Sequence, residues 1–350
     1  MSSIKMQLSC PMPKMDHDRI TLGHGGGGTL TNQLLEKGVF SILGNEILDT
    51  HHDGAMISAE GKLAFSTDSF VIDPIFFPGG DIGELAINGT VNDIAMCGAV
   101  PQFLSLSFIL EEGLLIEEFW RILFSIKDAC EKAGVKIVTG DTKVVERGKG
   151  DQIFINTTGI GHVMDNAQIE MGQVKNGDAI IISNEIAAHG IAIMSVREGL
   201  EFETDILSDT QPLNHVVNGL ISNFGKSIHL LKDPTRGGVA AVLNEISRDS
   251  GLGISINEKD IPIALQVKGA CEILGLDPLY VANEGVFIAI VDEKHAEDVV
   301  SFLSHHKESR NATIIGKVVN DHPRQVVMKS AIGGRRVVNM LVGEQLPRIC

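Results

Sequence analysis

Cysteine is scarce and scattered in this chain: five residues, at positions 10, 97, 130, 271 and 350, form no CxxC pair and no metal-knuckle spacing. Neither a disulfide framework nor a structural zinc site is expected, and the thiols read as free in a reducing compartment. Basic charge is also in short supply, with 29 lysines and arginines against 45 acids and a formal net charge of −16. That balance lacks the basic stripe that nucleic acid or an anionic membrane would need, so neither is expected as a partner. An anionic substrate would need a cation between it and the protein. No uncharged apolar run reaches the roughly 20 residues that span a bilayer. Lys5, Lys14, Asp16, Asp18 and Arg19 interrupt the first turns of the chain, so no export signal is expected and a cytoplasmic protein is. The glycine run Gly23–Gly28 is not a P-loop, because no Gly-Lys-Ser/Thr follows it.

What is present is an ordinary globular composition, 43% apolar over 350 residues, enough to bury the cores of two domains. Two halves repeat one α/β grammar. In the first, strands are expected at 62–72, 102–110, 135–138 and 153–163, with helices at 81–98 and 116–133. In the second, strands are expected at 179–183, 253–256, 286–291 and 312–319, with helices near 191–198, 212–224, 237–250 and 293–306. A polar stretch at 164–178, with Asn166, Gly172, Asn176 and Gly177, reads as the hinge. The resulting division is a lead-in with the glycine loop (1–44), a first domain (45–165), a second α/β domain (178–330), and a final strand and tail (331–350). The last residue is Cys350. From Asn339 onward an extended arm reaches roughly 40 Å, enough for a terminal thiol to swing as a carrier.

Several residue groups suggest chemistry. His24-Gly25-Gly26-Gly27-Gly28 offers bare amides to cover phosphates or is a simple linker. Asp53, Asp68, Asp93 and Asp233 are hard ligands of the type that suits magnesium on a triphosphate, although each alone reads as a solvated acid. In the 81–98 helix, Ile87, Val91, Ile94 and Ala95 form a buried stripe, and Asp93 lies on the other face above Ala86 and Gly89. Thr139-Gly140-Asp141-Thr142-Lys143 reads as the end of a strand, where Lys143 meets a phosphate and Asp141 a metal or ribose, or else as a tight turn. In Asp233-Pro234-Thr235-Arg236-Gly237-Gly238, Thr235 is placed to cap a helix and Arg236 to fork onto an oxyanion. Glu284 stands at the entrance of a buried strand, where desolvation would raise its pKa and suit it to proton transfer. His162, His189, His215, His229, His305 and His306 read as surface or packing groups.

Six motifs in order carry a resemblance over residue 18 to the end: His24–Gly28, Phe77-Pro78-Gly79-Gly80-Asp81-Ile82-Gly83, Gly89-Thr90-Val91-Asn92-Asp93, Gly140-Asp141-Thr142-Lys143-Val144-Val145, Asp233–Gly238 and Pro347-Arg348-Ile349-Cys350. The chain resembles the HypE family of hydrogenase maturation carbamoyl dehydratases, itself similar to aminoimidazole ribonucleotide synthetase and selenophosphate synthetase. The resemblance implies an α/β fold of two domains with mixed sheets, whose N-terminal domains pair as a dimer barrel, and a flexible C-terminal tail. It implies ATP and Mg2+ as cofactors, with Gly25, Gly26, Gly27, Gly28, Asp68, Thr90, Asn92, Asp93, Asp141 and Lys143 around the nucleotide and Asp53, Asp68, Asp93 and Asp233 around the metal. Cys350 would receive a carbamoyl group from the carbamoyltransferase HypF, and the nitrile would pass to iron on the HypC–HypD complex.

Losing water from S-CO-NH2 requires the amide oxygen to become a phosphate ester first, since it leaves poorly on its own. Glu284 is the candidate base for the nitrogen protons and Arg236 steadies charge on oxygen, with Lys143 able to exchange roles with either. Two other readings stay open: a synthetase acting on a free substrate, indifferent to the tail, and a non-catalytic scaffold in which Cys350 ligates a metal.

Overall fold

The computed structural model describes residues 15–50, 54–199, 206–341 and 348–350. After a 3-10 turn at Leu22–Gly25 comes a helical segment, built as α1 (Thr29–Leu34), a π-helical stretch and α2 (Ser41–Leu43). The first half then follows as β1 (Leu63–Phe70), a two-residue ribbon of β2 (Phe76–Phe77) and β3 (Gly80–Asp81), α3 (Ile82–Met96), β4 (Ala99–Glu111), α4 (Ile116–Ala133), β5 (Lys136–Val145) and β6 (Ile153–Val163). Its four-stranded sheet has the order β1-β6-β4-β5, antiparallel except for the parallel β4–β5 pair. The second half contributes β7 (Ala179–Ile182), α5 (Ala188–Arg197), α6 (Asn214–Phe224), β8 (Ile228–Lys232), α7 (Gly238–Ser250), β9 (Gly253–Asn257), α8 (Leu265–Leu274), β10 (Ile288–Val291), α9 (Ala296–Ser304), β11 (Thr313–Val319), β12 (Val326–Lys329) and β13 (Arg335–Val338). These strands form a seven-stranded sheet ordered β13-β12-β9-β11-β7-β10-β8.

Helix α4 forms because Phe119, Ile122, Leu123, Ile126, Ala129 and Cys130 recur on one face, and Gly134 at φ +72° ends it. Helix α3 departs from the expected single stripe. Asp81 caps it by accepting the N–H groups of Gly83 (2.8 Å) and Glu84 (3.1 Å). From there nearly every side is buried, Asn88, Thr90 and Asn92 included, because the first sheet, α4 and α6 of the second half surround it. Polar residues can occupy such a helix only where partners meet them. Thr90 Oγ1 bonds Thr157 Oγ1 at 2.5 Å. Asn92 donates to the carbonyls of Gln211 (3.1 Å) and Glu284 (3.2 Å) and accepts the Leu213 N–H (2.8 Å). Both residues, expected at the nucleotide, are therefore spent inside the protein, and Asn92 stitches the two halves together.

Candidate functional site

Parts of both halves converge along this seam: β1 and the later turns of α3, the turn between β8 and α7, the approach to β10, and the last three residues of the chain. Alternation along β1 turns Ser66, Asp68 and Phe70 toward α3, and Ser66 Oγ donates to Asp93 at 2.7 Å. Asp233 follows the end of β8. Its carboxyl is pushed up to about 7, by burial first and then by the Asp93 charge. Burial likewise raises Asp93, with Asp68 adding to the shift and Arg236 opposing it. Arg236 is exposed, with its guanidinium 4.0 Å from Asp68. Gly237 at φ +77° caps α7, so Thr235 does not perform the capping expected of it.

Among the described residues, no three His, Cys, Asp or Glu side chains already close on one metal position. Asp68, Asp93 and Asp233 instead form an acidic wall, in which burial and the neighbouring carboxylates push Asp93 and Asp233 toward the protonated form. Such a wall fits a cation that takes only a few protein ligands and fills the rest of its shell with water and phosphate oxygens, as magnesium does. Asp53 lies outside the described residues.

Glu284 is 4% exposed, and among the described residues its Oε1 has no hydrogen-bond partner. Burial holds its pKa well above the usual carboxylate range, and Asp209, Asp233 and Asp68 push the same way. Asp209 accepts the backbone N–H groups of Glu284 (3.2 Å) and Gly285 (3.2 Å) and is itself pushed up to about 6 by burial. This approach explains the glycine after Glu284: a Cβ at Gly285 would sit 1.8 Å from the Asp209 carbonyl oxygen. Just before Glu284, Asn283 is tied to Pro234 (2.8 Å) and to the Ala187 N–H (2.7 Å), which fixes the acid against both neighbouring turns.

The end of the expected mobile arm is docked in this cleft. Ile349 and Cys350 are 2% and 6% exposed and pack with the first-half core. The Val71 N–H donates to the Cys350 carbonyl at 3.2 Å, and Arg348 Nε donates to the Val71 carbonyl at 3.2 Å. Arg348 also pairs with Asp151, and Arg197 bridges the carbonyls of Asp73 and Arg348. The Cys350 thiol is pushed up to about 12 by burial, with Glu284 also raising it and Arg236 lowering it. Docked, it is a neutral thiol.

The remaining predicted residues gather elsewhere. Thr139–Lys143 do not end a strand or form a turn but run on in β5, because β4 supplies a parallel partner for each residue. Lys143 donates to Asp141 Oδ1 at 2.7 Å, and both are exposed. Register pairs Asp141 with Ser107, on the opposite sheet face from Leu106, whereas Asp68 shares the α3 side. Three strand spacings, roughly 14 Å, separate the β1 and β5 edges. Lys143 is thus not beside its own chain's Glu284. It shares a cavity of about 270 Å³ with Gly25, Gly27, Thr31, Thr139 and Asp141. Gly25 presses on Val144, while Gly26 and Gly28 lie exposed on the same loop.

Sequence reasoning missed His189 and Asp209. His189, read as a surface or packing group, is fully buried, and its Nε2 lies 2.8 Å from the Ile349 carbonyl oxygen. No local pattern marks it, since its partner is 160 residues away. Asp209 had one signal, the polar run Ser208-Asp209-Thr210-Gln211 between apolar segments.

Comparison with known proteins agrees with this geometry. The family model described as AIR synthase related protein, N-terminal domain, matches residues 51–163, and the corresponding C-terminal domain matches 175–329. The carbamoyl dehydratase HypE of Rhizobium leguminosarum bv. viciae is 47% identical over 350 residues, covering 99% of this chain and 100% of the relative. That of Azotobacter vinelandii is 48% identical over 332 residues, covering 95% and 97%. A crystal structure of the hydrogenase maturation protein HypE in complex with ATP superposes with a TM-score of 0.91 at 46% identity, covering 94% of this chain and 99% of that one. The crystal structure of a HypE–HypF complex follows with a TM-score of 0.78 at 44% identity, covering 90% and 100%. Thiamine monophosphate kinase from Aquifex aeolicus, at 18% identity and a TM-score of 0.57, shares the fold alone. The thiol-bearing terminus, the buried acid beside it and the relatives agree: this chain belongs to the HypE family of carbamoyl dehydratases.

Proposed function

We infer that the protein dehydrates a carbamoyl group carried on its own Cys350 to a thiocyanate, using ATP, and so makes cyanide ligands for the iron of nickel–iron hydrogenase. The observation that carries this reading is the seating of Cys350, which feels Glu284, Arg236 and Asp68 in the cleft. The step converts S-CO-NH2 to S-C≡N: the oxygen leaves with the phosphoryl group as phosphate, and the nitrogen gives up two protons. ATP, bound with magnesium at the acidic wall, supplies the phosphoryl group that makes that oxygen a leaving group. Asp68, Asp93 and Asp233, with Asp53, hold the metal. Arg236 steadies the oxygen. Glu284, whose unpartnered Oε1 is buried in the cleft, takes a nitrogen proton. Burial of Ile349 and Cys350 keeps water from the activated group.

The arm must also leave the cleft, because the acyl donor is attacked by a thiolate and burial suppresses the thiolate. HypF is the proposed donor, and its complex with a HypE relative supports that assignment. The HypC–HypD complex is the proposed acceptor, in the cytoplasm. Two copies pair through the open face of the first sheet, where Leu63, Phe65, Val100 and Ile109 are exposed apolar residues. In that dimer the Gly25–Gly28 loop, Asp141 and Lys143 serve the cleft of the other copy. Intact-mass measurement of Cys350 in the carbamoylated protein before and after ATP tests the reading, since dehydration removes one water from the adduct.

A further inference from the structure

The carbonyls of the docked terminus alternate in direction. Those of Arg348 and Cys350 are answered from one side, by Arg197 and by the Val71 N–H. Ile349, between them, aims its carbonyl away from that edge and into the interior, where an unpaired carbonyl is costly. One side chain meets it, His189 Nε2 at 2.8 Å.

The direction of this bond is fixed. The Ile349 oxygen has only lone pairs, so Nε2 must carry the proton. Burial lowers the ring's pKa to about 4, so the ring is neutral and Nδ1 has a lone pair that accepts from Ser208 Oγ at 2.8 Å, while that oxygen accepts the Thr210 N–H at 3.1 Å. Donation runs one way from Thr210 to the arm, and it sets the imidazole tautomer. The ring is further fixed edge-on to Phe77, their centroids 5.6 Å apart. The Pro78 carbonyl accepts the Ser208 N–H at 2.8 Å, and Gly79, at φ +94°, leaves room for that approach. The Phe77–Gly80 motif thereby acquires a purpose: it supports the loop that orients His189 and places Asp209 behind Glu284.

We propose that His189 is the positioning residue that seats the carrier arm, with its Nε2–H latching the Ile349 carbonyl so that the Cys350 cargo is held beside Glu284. This rests on the carbamoyl dehydratase reading. The latch grips backbone and not side chain, so it holds the arm whether or not the thiol is loaded. It acts on the docked state alone. Removing it should slow dehydration while leaving carbamoyl loading, which takes place undocked, intact.

The test uses the full-length protein with His189→Leu, His189→Gln and Ser208→Ala. Iodoacetamide labelling of Cys350, read on the C-terminal peptide, reports docking. Single-turnover loss of water from the carbamoylated protein reports dehydration, and transfer from HypF reports loading. Losing the bond to a buried carbonyl predicts labelling about 10-fold faster and dehydration about 10-fold slower in His189→Leu, with loading not slowed. In His189→Gln, whose amide can still donate, both should return most of the way to wild type. Wild-type protection and dehydration in a folded His189→Leu overturn the proposal. So does a parallel loss of loading, dehydration and melting temperature, which would mark a purely structural histidine. If His189→Leu does not fold, Ser208→Ala decides: labelling about threefold faster supports the latch, and unchanged labelling overturns it. Labelling does not depend on turnover, so an enzyme reading that fails in the wild-type protein is told apart from a latch that fails.

Discussion

Asp209 accepts the backbone N–H of Glu284 at 3.2 Å, which places a second carboxyl directly behind the acid that lies beside the Cys350 thiol. Burial is the larger reason why the Glu284 pKa is raised, and the Asp209 charge is the next. A base with a raised pKa is strong once ionised, and its ionised fraction grows with pH, so dehydration should speed up as pH rises.

Asp209→Asn removes a like charge and lowers the Glu284 pKa. The ascending limb of the pH–rate profile for dehydration is expected to move to lower pH by about one unit. Single-turnover rates from pH 6 to 9 check this, and an unmoved limb would detach Asp209 from the chemistry.

Glu284→Gln should cut dehydration by about 10²–10⁴-fold while HypF still loads Cys350. It should also change stability with a definite sign. The folded pKa of Glu284 lies above its unfolded value, so stability is fully present below about pH 4.5 and is lost as pH rises through the folded pKa. At pH 8 the Gln variant is therefore expected to melt higher than wild type, and at pH 4 the two should agree. Calorimetry at the two pH values distinguishes this from a general effect of the substitution.

The acidic wall makes a parallel prediction about metal. Asp233 is raised from 3.8 to about 7 by burial and then by Asp93, so by pH 8 its ionisation is a full cost to the metal-free fold. Asp233→Asn should melt a few degrees higher than wild type in EDTA, and Mg2+ should stabilise it less. Its Mg2+ requirement for ATP turnover should rise about 10-fold or more. A variant that needs no more Mg2+ than wild type would remove Asp233 from the metal site.

Lys143 lies on the open face of the first sheet and Glu284 on its α3 side, where its carbonyl meets Asn92, and in the proposed dimer each cleft takes its lysine from the other copy. Lys143→Ala and Glu284→Gln should each be inactive alone, yet a mixed dimer of the two has one complete cleft. Its turnover should reach about half that of wild type. Mixed dimers as inactive as the parents would place both residues in the same subunit's site.

The amphipathic elements were legible in the sequence, because periodicity records which face is buried: α4 occupies Ile116–Ala133 as read. The strand β8 was not, since a five-residue run buried on both faces has no alternation. Helix α8 was hidden for another reason, as Leu265 and Ile273 are exposed and blur its stripe. Within the site, Glu284 could be found because a glutamate before an apolar strand advertises its burial. Thr90 and Asn92 share a motif with Asp93, yet only contacts with Thr157 and Gln211 distant in sequence reveal that their side chains are bonded inside the protein. His189 depends on the chain's far end, and nothing local encodes it.

The most direct measurement is the intact mass of full-length protein carbamoylated on Cys350, followed after addition of ATP and Mg2+. Loss of one water from the Cys350 adduct, absent in Glu284→Gln, is the predicted result. ADP release with the adduct mass unchanged, or cyanide-bearing product formed at wild-type rate by Cys350→Ala, would contradict the account.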